Sequence, residues 1–260
     1  MPFVDYETRG RIAVITLNRP EARNAINGDV ASAMEAAIDQ MEADPDVWIG
    51  VLRANTEGQT NPVFSAGADL KALNAGQGAG FGTERGGFAG FVYRERVKPI
   101  IVAVDGLATA GGCEIVLACD LVVATTRSAF GLAEVKRNLV AGAGGLFRLP
   151  RAIGRSAAME AILTGEPLPA ARAYELGLVS RLVEPGRAEG EAFALADQIC
   201  ENAPLAVWQS RAIVLAADYE DDDTLKEMTN KAMRLMMASE DLKEGLTAFV
   251  EKRAPHWKGR

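Results

Sequence analysis

Ile100-Ile101-Val102-Ala103-Val104-Asp105-Gly106-Leu107-Ala108-Thr109-Ala110-Gly111-Gly112-Cys113-Glu114-Ile115-Val116-Leu117-Ala118-Cys119-Asp120 reads as a strand, a turn of small residues and the start of a helix. Ile100 to Val104 is a short apolar run that reads as a strand. From Ala108 to Glu114 the small residues let a ligand approach the backbone closely. Free N–H groups at a helix start are ready donors to a developing negative charge. Glu114 then sits in the apolar stretch Cys113 to Ala118, although a carboxylate is ordinarily found on a solvated face.

Outward from this stretch the same order recurs. Short apolar runs predict further strands at Ile12 to Leu17, Trp48 to Leu52, Leu121 to Ala124 and Leu178 to Val183. Helix-period segments separate them, which is the order that builds parallel strands with crossover helices. Asn27 offers a helix cap, Val30, Met34, Ile38 and Met41 recur at helical spacing, and Asp44-Pro45 stops the helix. A second small-residue turn, Phe64-Ser65-Ala66-Gly67-Ala68-Asp69-Leu70-Lys71, again leads from a strand region toward a helix. The segment from Asn74 to Gly90 holds seven glycines and no apolar period, and reads as a mobile loop, either a surface insertion or a lid. Beyond Ala188 the strand signals vanish. Helices are expected at Glu189 to Glu201, Pro204 to Ala217, Thr224 to Met237 and Ser239 to about Lys252, so the chain divides into an α/β core, 1–188, and a helical region, 189–260.

Composition excludes several chemistries. The one histidine, His256, lies five residues from the end, which argues against a Ser/His/Asp triad, a Cys/His dyad and a zinc-binding H-E-x-x-H helix. Cys113, Cys119 and Cys200 are odd in number and form no C-x-x-C, so neither a disulfide framework nor a metal site is expected. A net charge of −7 is the reverse of a nucleic-acid binder's footprint. With no long apolar run and no signal-like start, the expectation is a soluble cytoplasmic protein without a membrane partner.

Two carboxylates remain to be placed. Glu114 and Glu134 both stand in weakly polar surroundings; brought together and buried, at least one should have a raised pKa, so that one can serve as acid and the other as base. The plainer alternatives are a charge complementing the helix dipole for Glu114 and a surface pair with Lys136 or Arg137 for Glu134.

Together these segments closely resemble the enoyl-CoA hydratase/isomerase family, the crotonase superfamily, nearly end to end. Asn18-Arg19-Pro20 with Asn24-Ala25, Phe64 to Lys71, Asp105 to Asp120, Phe130 to Leu149 with Gly142-Ala143-Gly144-Gly145, and Lys252-Arg253-Ala254-Pro255 carry the likeness. Many members have glycine where this chain has Ala110 and proline where it has Ala133. The resemblance implies an α/β spiral of ββα units with a helical C-terminal trimerisation region, in a homotrimer or dimer of trimers. It also implies an acyl-CoA thioester substrate, with coenzyme A part of that substrate and no prosthetic group. The thioester carbonyl would lie between the backbone N–H groups of Ala68 and Gly111, with Glu114 the water-activating base and Glu134 the main acid. The CoA portion would pass along Arg23, Ala25, Ala66, Asp69, Leu70 and Lys71, with Arg23, Lys71, and Lys252 or Arg253 answering its phosphates. The 81–90 stretch and the Trp257-Lys258-Gly259-Arg260 tail resemble the carnitinyl-CoA dehydratase branch.

The activity so implied is reversible addition of water to a 2-enoyl-CoA. An enoyl-CoA isomerase would share the carbonyl site but generally needs one acid/base group, and a non-catalytic acyl-CoA binder would need neither glutamate. A nucleotide-binding enzyme is disfavoured, because Gly142 to Gly145 lacks the G-x-x-x-x-G-K-[ST] pattern and no G-x-G-x-x-G opens the chain.

Overall fold

The computed structural model describes residues 2–74, 76 and 80–260. Its main sheet has six strands in the order β1 (Val4–Arg9), β2 (Ile12–Leu17), β3 (Ile49–Ala54), β7 (Ile100–Val104), β9 (Leu121–Thr125) and β12 (Arg181–Val183). β1 runs antiparallel to β2, and every other neighbouring pair is parallel. A second, four-stranded sheet is ordered β11 (Leu168–Pro169), β10 (Ala129–Gly131), β8 (Leu107–Thr109), β4 (Val63–Ser65). In sequence, β3 leads to β4, β7 to β8 and β9 to β10, so each turn of a spiral contributes one strand to each sheet before a helical segment follows. These are the expected ββα units.

Both faces of the main sheet are covered, which explains the continuous apolar runs. Ile15, Leu17, Leu52, Ile100, Val102 and Val104 face the interior shared with α1 (Gly28–Ala43) and α3 (Gly111–Leu117). Ile12, Val14, Ile49, Val51, Ile101 and Ala103 face the opposite way, onto Ala188, Ala192, Phe193 and Ala196 of α7 (Ala188–Cys200). α1 starts where expected: the Asn27 side chain accepts from Val30 N, and Val30, Met34, Ile38 and Met41 are buried. The remaining helices are α2 (Leu70–Asn74), α4 (Gly145–Ile153), α5 (Arg155–Thr164), α6 (Ala170–Glu175), α8 (Pro204–Ala216), α9 (Asp222–Ala238) and α10 (Glu240–Glu251). Among the described residues no helix is long and apolar enough to cross a membrane.

Two expectations need correction. The strand at Leu178 to Val183 begins only at Arg181, because Leu178 N still donates to Ala173 O as the chain leaves α6. The glycine-rich stretch is not structureless throughout: β5 (Gly82–Thr83) and β6 (Gly87–Phe88) pair as an antiparallel hairpin. Arg85 binds Glu35 (2.9 Å) and Asp39 (2.6 Å) on α1, and Thr83 donates to Glu35, so side-chain bonds hold the hairpin on that helix. Gly78 lies outside the described residues.

Candidate active site

The first donor turn follows β4 and is built largely by the Asn18-to-Ala25 segment. Asn24 is buried at φ 51°; its Nδ2 donates to Asn55 O (2.9 Å) and Val63 O (3.3 Å), and its Oδ1 accepts from Arg19 N (2.9 Å). Ser65 Oγ donates to Asn24 O at 2.8 Å. Ile26 N donates to Gly67 O (2.8 Å) and Asp69 N to Ile26 O (2.9 Å), which makes a parallel bridge between Ile26 and Ala68. Arg19 closes the turn through Asp69 Oδ2 (2.8 Å) and Ala25 O (3.1 Å). The bridge uses the carbonyl of Gly67 and the N–H of Asp69 and leaves the N–H of Ala68 without an acceptor among the described residues.

The second donor lies at the start of α3. Ala110 sits at φ 51°, ψ −129°, a sparsely populated region for a residue with a Cβ, and its N–H donates to Gly131 O at 2.8 Å. No side chain caps α3, and Gly111 N–H has no acceptor among the described residues. The two turns touch: a Cβ on Gly67, itself at φ 80°, would lie 2.8 Å from Gly111 N and 3.1 Å from Ala110 Cβ. Two unengaged amides therefore stand on abutting turns, an arrangement suited to an oxyanion. The Phe88 ring of the hairpin packs against Gly111.

The carboxylates lie beyond this pair. Glu114, 3% exposed, accepts from Ala143 N (2.7 Å) and Gly145 N (2.9 Å), both at Oε1. Burial pushes its pKa up to about 7; Glu134 pushes the same way, and the two amides and Arg148 oppose the rise. Glu134 opens a single 3-10 turn, Glu134–Arg137, and its Oε2 is buried with no hydrogen-bond partner. Burial raises its pKa too, against Arg137. The surface-pair alternative with Lys136 fails, since Lys136 binds Glu166 at 2.6 Å. An orphaned carboxyl oxygen is costly unless it carries a proton or awaits a ligand.

The residues expected along coenzyme A are brought together in part. Ala25 is buried, Ala66 and Ala68 are half-buried, and Arg23, Leu70 and Lys71 are exposed on the segments joined by the Ile26–Ala68 bridge. Asp69 is engaged by Arg19. Lys252 is exposed at the end of α10, and Arg253 is committed to Glu244 (2.6 Å) and Glu251 (2.7 Å). Sequence reasoning missed the amides of Ala143 and Gly145 as partners of Glu114: they lie 29 and 31 residues away, and no local pattern links them. It also missed Phe88, Tyr93 and Arg148 around the site.

The spiral architecture has close counterparts among known proteins. The chain belongs to the enoyl-CoA hydratase/isomerase family, whose model matches residues 7–260. It is 36% identical to the short-chain-enoyl-CoA hydratase of Clostridium acetobutylicum over 95% of this chain and 94% of that protein. Among solved structures, the enoyl-CoA hydratase of Mycobacterium tuberculosis H37Rv superposes with a TM-score of 0.93 at 45% identity, covering both chains completely. The carnitinyl-CoA hydratase of Mycobacterium avium superposes with a TM-score of 0.79 at 41% identity, also over the whole of both chains.

Proposed function

We propose that this chain is an enoyl-CoA hydratase that adds water reversibly across the double bond of a 2-enoyl-CoA. The observation that carries the reading is the pair of unengaged amides, Ala68 and Gly111, on abutting turns beside the buried Glu114 and the half-buried Glu134. The thioester oxygen accepts from both amides, which stabilises the enolate as it forms; removing one such donor in comparable sites costs about 2.7–4 kcal/mol. Glu114, with a pKa near 7, takes a proton from water as the hydroxyl adds to the β-carbon. Electrons pass through the α-carbon to the thioester oxygen. Glu134, whose burial raises its pKa and so favours the protonated form, gives a proton to the α-carbon. Hydroxyl and proton together make one water, and exchange between the carboxyls and solvent restores the starting states. No group other than the protein and the substrate enters these steps.

Arg23 and Lys71, exposed beside the first donor turn, answer the phosphates of coenzyme A. Two carboxyls favour hydration over isomerisation, which needs one. The similarity to a carnitinyl-CoA hydratase supports including substrates with a polar β-substituent in the screen. Region 189–260 brings copies together as a trimer or a dimer of trimers: Met233, Met237, Leu246, Phe249 and Val250 of α9 and α10 expose more than half their surface. The free cysteines suit a reducing cytoplasmic setting.

The test is hydration of crotonyl-CoA, followed as loss of enoyl-thioester absorbance, with Glu134→Gln beside the wild type. Turnover that the substitution abolishes supports the reading. A folded wild type that binds crotonyl-CoA and turns over neither it nor a β-hydroxy or carnitinyl thioester would overturn it.

A further inference from the structure

The turn that grips Glu114 is itself gripped. Gly142 to Gly145 has no regular structure of its own until α4 begins at Gly145, and it delivers two amides to one carboxylate oxygen. Such a turn holds its aim only if its carbonyls are fixed as well. Two side chains fix them. Arg148 Nη1 donates to Ala143 O at 3.2 Å, and its Nη2 reaches across to Val92 O at 2.5 Å. Tyr93 Oη donates to Gly142 O at 3.0 Å. The Arg148 guanidinium lies over the rings of both Tyr93 (5.4 Å) and Phe147 (5.3 Å) and rests against Gly144, so aromatic packing holds the fork in place.

Resting on the hydratase reading, we propose that Arg148 and Tyr93 are positioning residues. They lock the carbonyls of Gly142 and Ala143, so that the Ala143 and Gly145 amides hold Oε1 of Glu114 and leave Oε2 for water. Oε2 takes no hydrogen bond from any described residue. Arg148 also acts through space: its charge favours the ionised form of Glu114. The charged and titratable groups facing this pair are Glu134 toward Glu114, and Tyr93, Arg96 and Arg151 toward Arg148. Arg148 also lines, with Arg94, Arg96, Arg151 and Arg211, a cavity of about 740 Å³ whose acidic members are Glu95, Asp120 and Asp218.

The experiment compares Arg148→Met, Arg148→Lys and Tyr93→Phe with wild type by two readouts. The first is amide hydrogen exchange of the 142–145 segment, which needs no turnover. It is expected to rise at least tenfold in Arg148→Met and by a smaller factor in Tyr93→Phe, which deletes a single hydroxyl and protects against loss of the arginine variant to misfolding. The second is the pH profile of crotonyl-CoA hydration. Arg148→Met is expected to lower kcat at least tenfold with KM within about threefold, and to move the acidic limb to higher pH, because Glu114 loses a favourable charge. Arg148→Lys restores the limb but not kcat, since an ammonium supplies the charge without the fork to two carbonyls. Unchanged exchange in both Arg148→Met and Tyr93→Phe overturns the proposal, as does a limb that stays put in Arg148→Met. A wild type that binds crotonyl-CoA and turns over neither it nor a β-hydroxy or carnitinyl thioester sinks the hydratase reading instead, and the exchange readout still judges the clamp.

Discussion

Gly67→Ala is the perturbation that most directly questions the carbonyl site, because it alters neither glutamate nor any polar side chain. A methyl group there would lie 2.8 Å from Gly111 N, 3.1 Å from Ala110 Cβ and 3.2 Å from Thr109 O, whereas ordinary contact begins near 3.4 Å. The two donor turns must separate by about 0.6 Å; as a 1 Å misplacement at a reacting centre can cost about 10²-fold, a loss of at least about tenfold in kcat is expected. Complete loss of one donor sets the upper bound, about 10³-fold. Stability falls as well: φ of 80° costs a non-glycine residue about 1–2 kcal/mol, which lowers Tm by several degrees in a chain of this size. Gly190→Ala in α7 is the control, since a Cβ there meets nothing within 4 Å. It should leave kcat untouched and be neutral or mildly stabilising. The assay is initial-rate hydration of crotonyl-CoA alongside thermal denaturation followed by circular dichroism. A Gly67→Ala enzyme with lowered Tm and wild-type kcat would show that the abutting turns are structural and that the carbonyl is polarised elsewhere.

Further predictions follow the same geometry. Glu114→Gln and Glu134→Gln should each reduce hydration by at least about 10²-fold at unchanged fold, measured by kcat on the purified variants. Wild-type activity should rise with pH through about 7 as Glu114 ionises, and Glu114→Gln should lack that limb in its residual rate. The stability sign runs the other way: folding raises the Glu114 pKa from 4.5 to about 7, so the native state binds the extra proton between those values and stability falls as pH rises across that window. Glu114→Gln should therefore melt higher than wild type at pH 7.5, and a lower melting temperature would contradict the cost assigned to the buried charge. Phe88→Ala removes the ring packed against Gly111 and should weaken discrimination between β-substituents, read as the ratio of kcat/KM for crotonyl-CoA and a bulkier 2-enoyl thioester.

What the sequence made legible were the features with a local signal. The Asn27 cap, the Val30 to Met41 stripe and the apolar runs of β2, β3 and β7 each carry their own periodicity or burial demand, and each lies where expected. The strands β4, β8 and β10 are three residues long, too short for alternation to register, so the second sheet was implied only by the family likeness. Residues 80–90 depart from the loop expectation for a physical reason. Glycine there serves close approach as well as freedom: a Cβ on Gly90 would lie 2.9 Å from Glu35 Cβ and 3.1 Å from Glu35 N, so the bare backbone lets the segment dock on α1. Asn24 and Arg19 were quoted as motif residues and turn out to be scaffolding for the first donor turn. That role depends on bonds to Asn55, Val63 and Asp69 that no linear reading supplies.

The two amides come from successive turns of the spiral, one after β4 and one after β8, whereas the two carboxyls are side chains, Glu114 on α3 and Glu134 on the 3-10 turn after β10. Substitution can replace a glutamate in a single step but cannot delete a backbone amide short of introducing proline. On the proposed hydratase reading, thioester polarisation therefore resists substitution, whereas proton handling does not. On that reading a single substitution can silence proton transfer while the grip on the carbonyl stays in place.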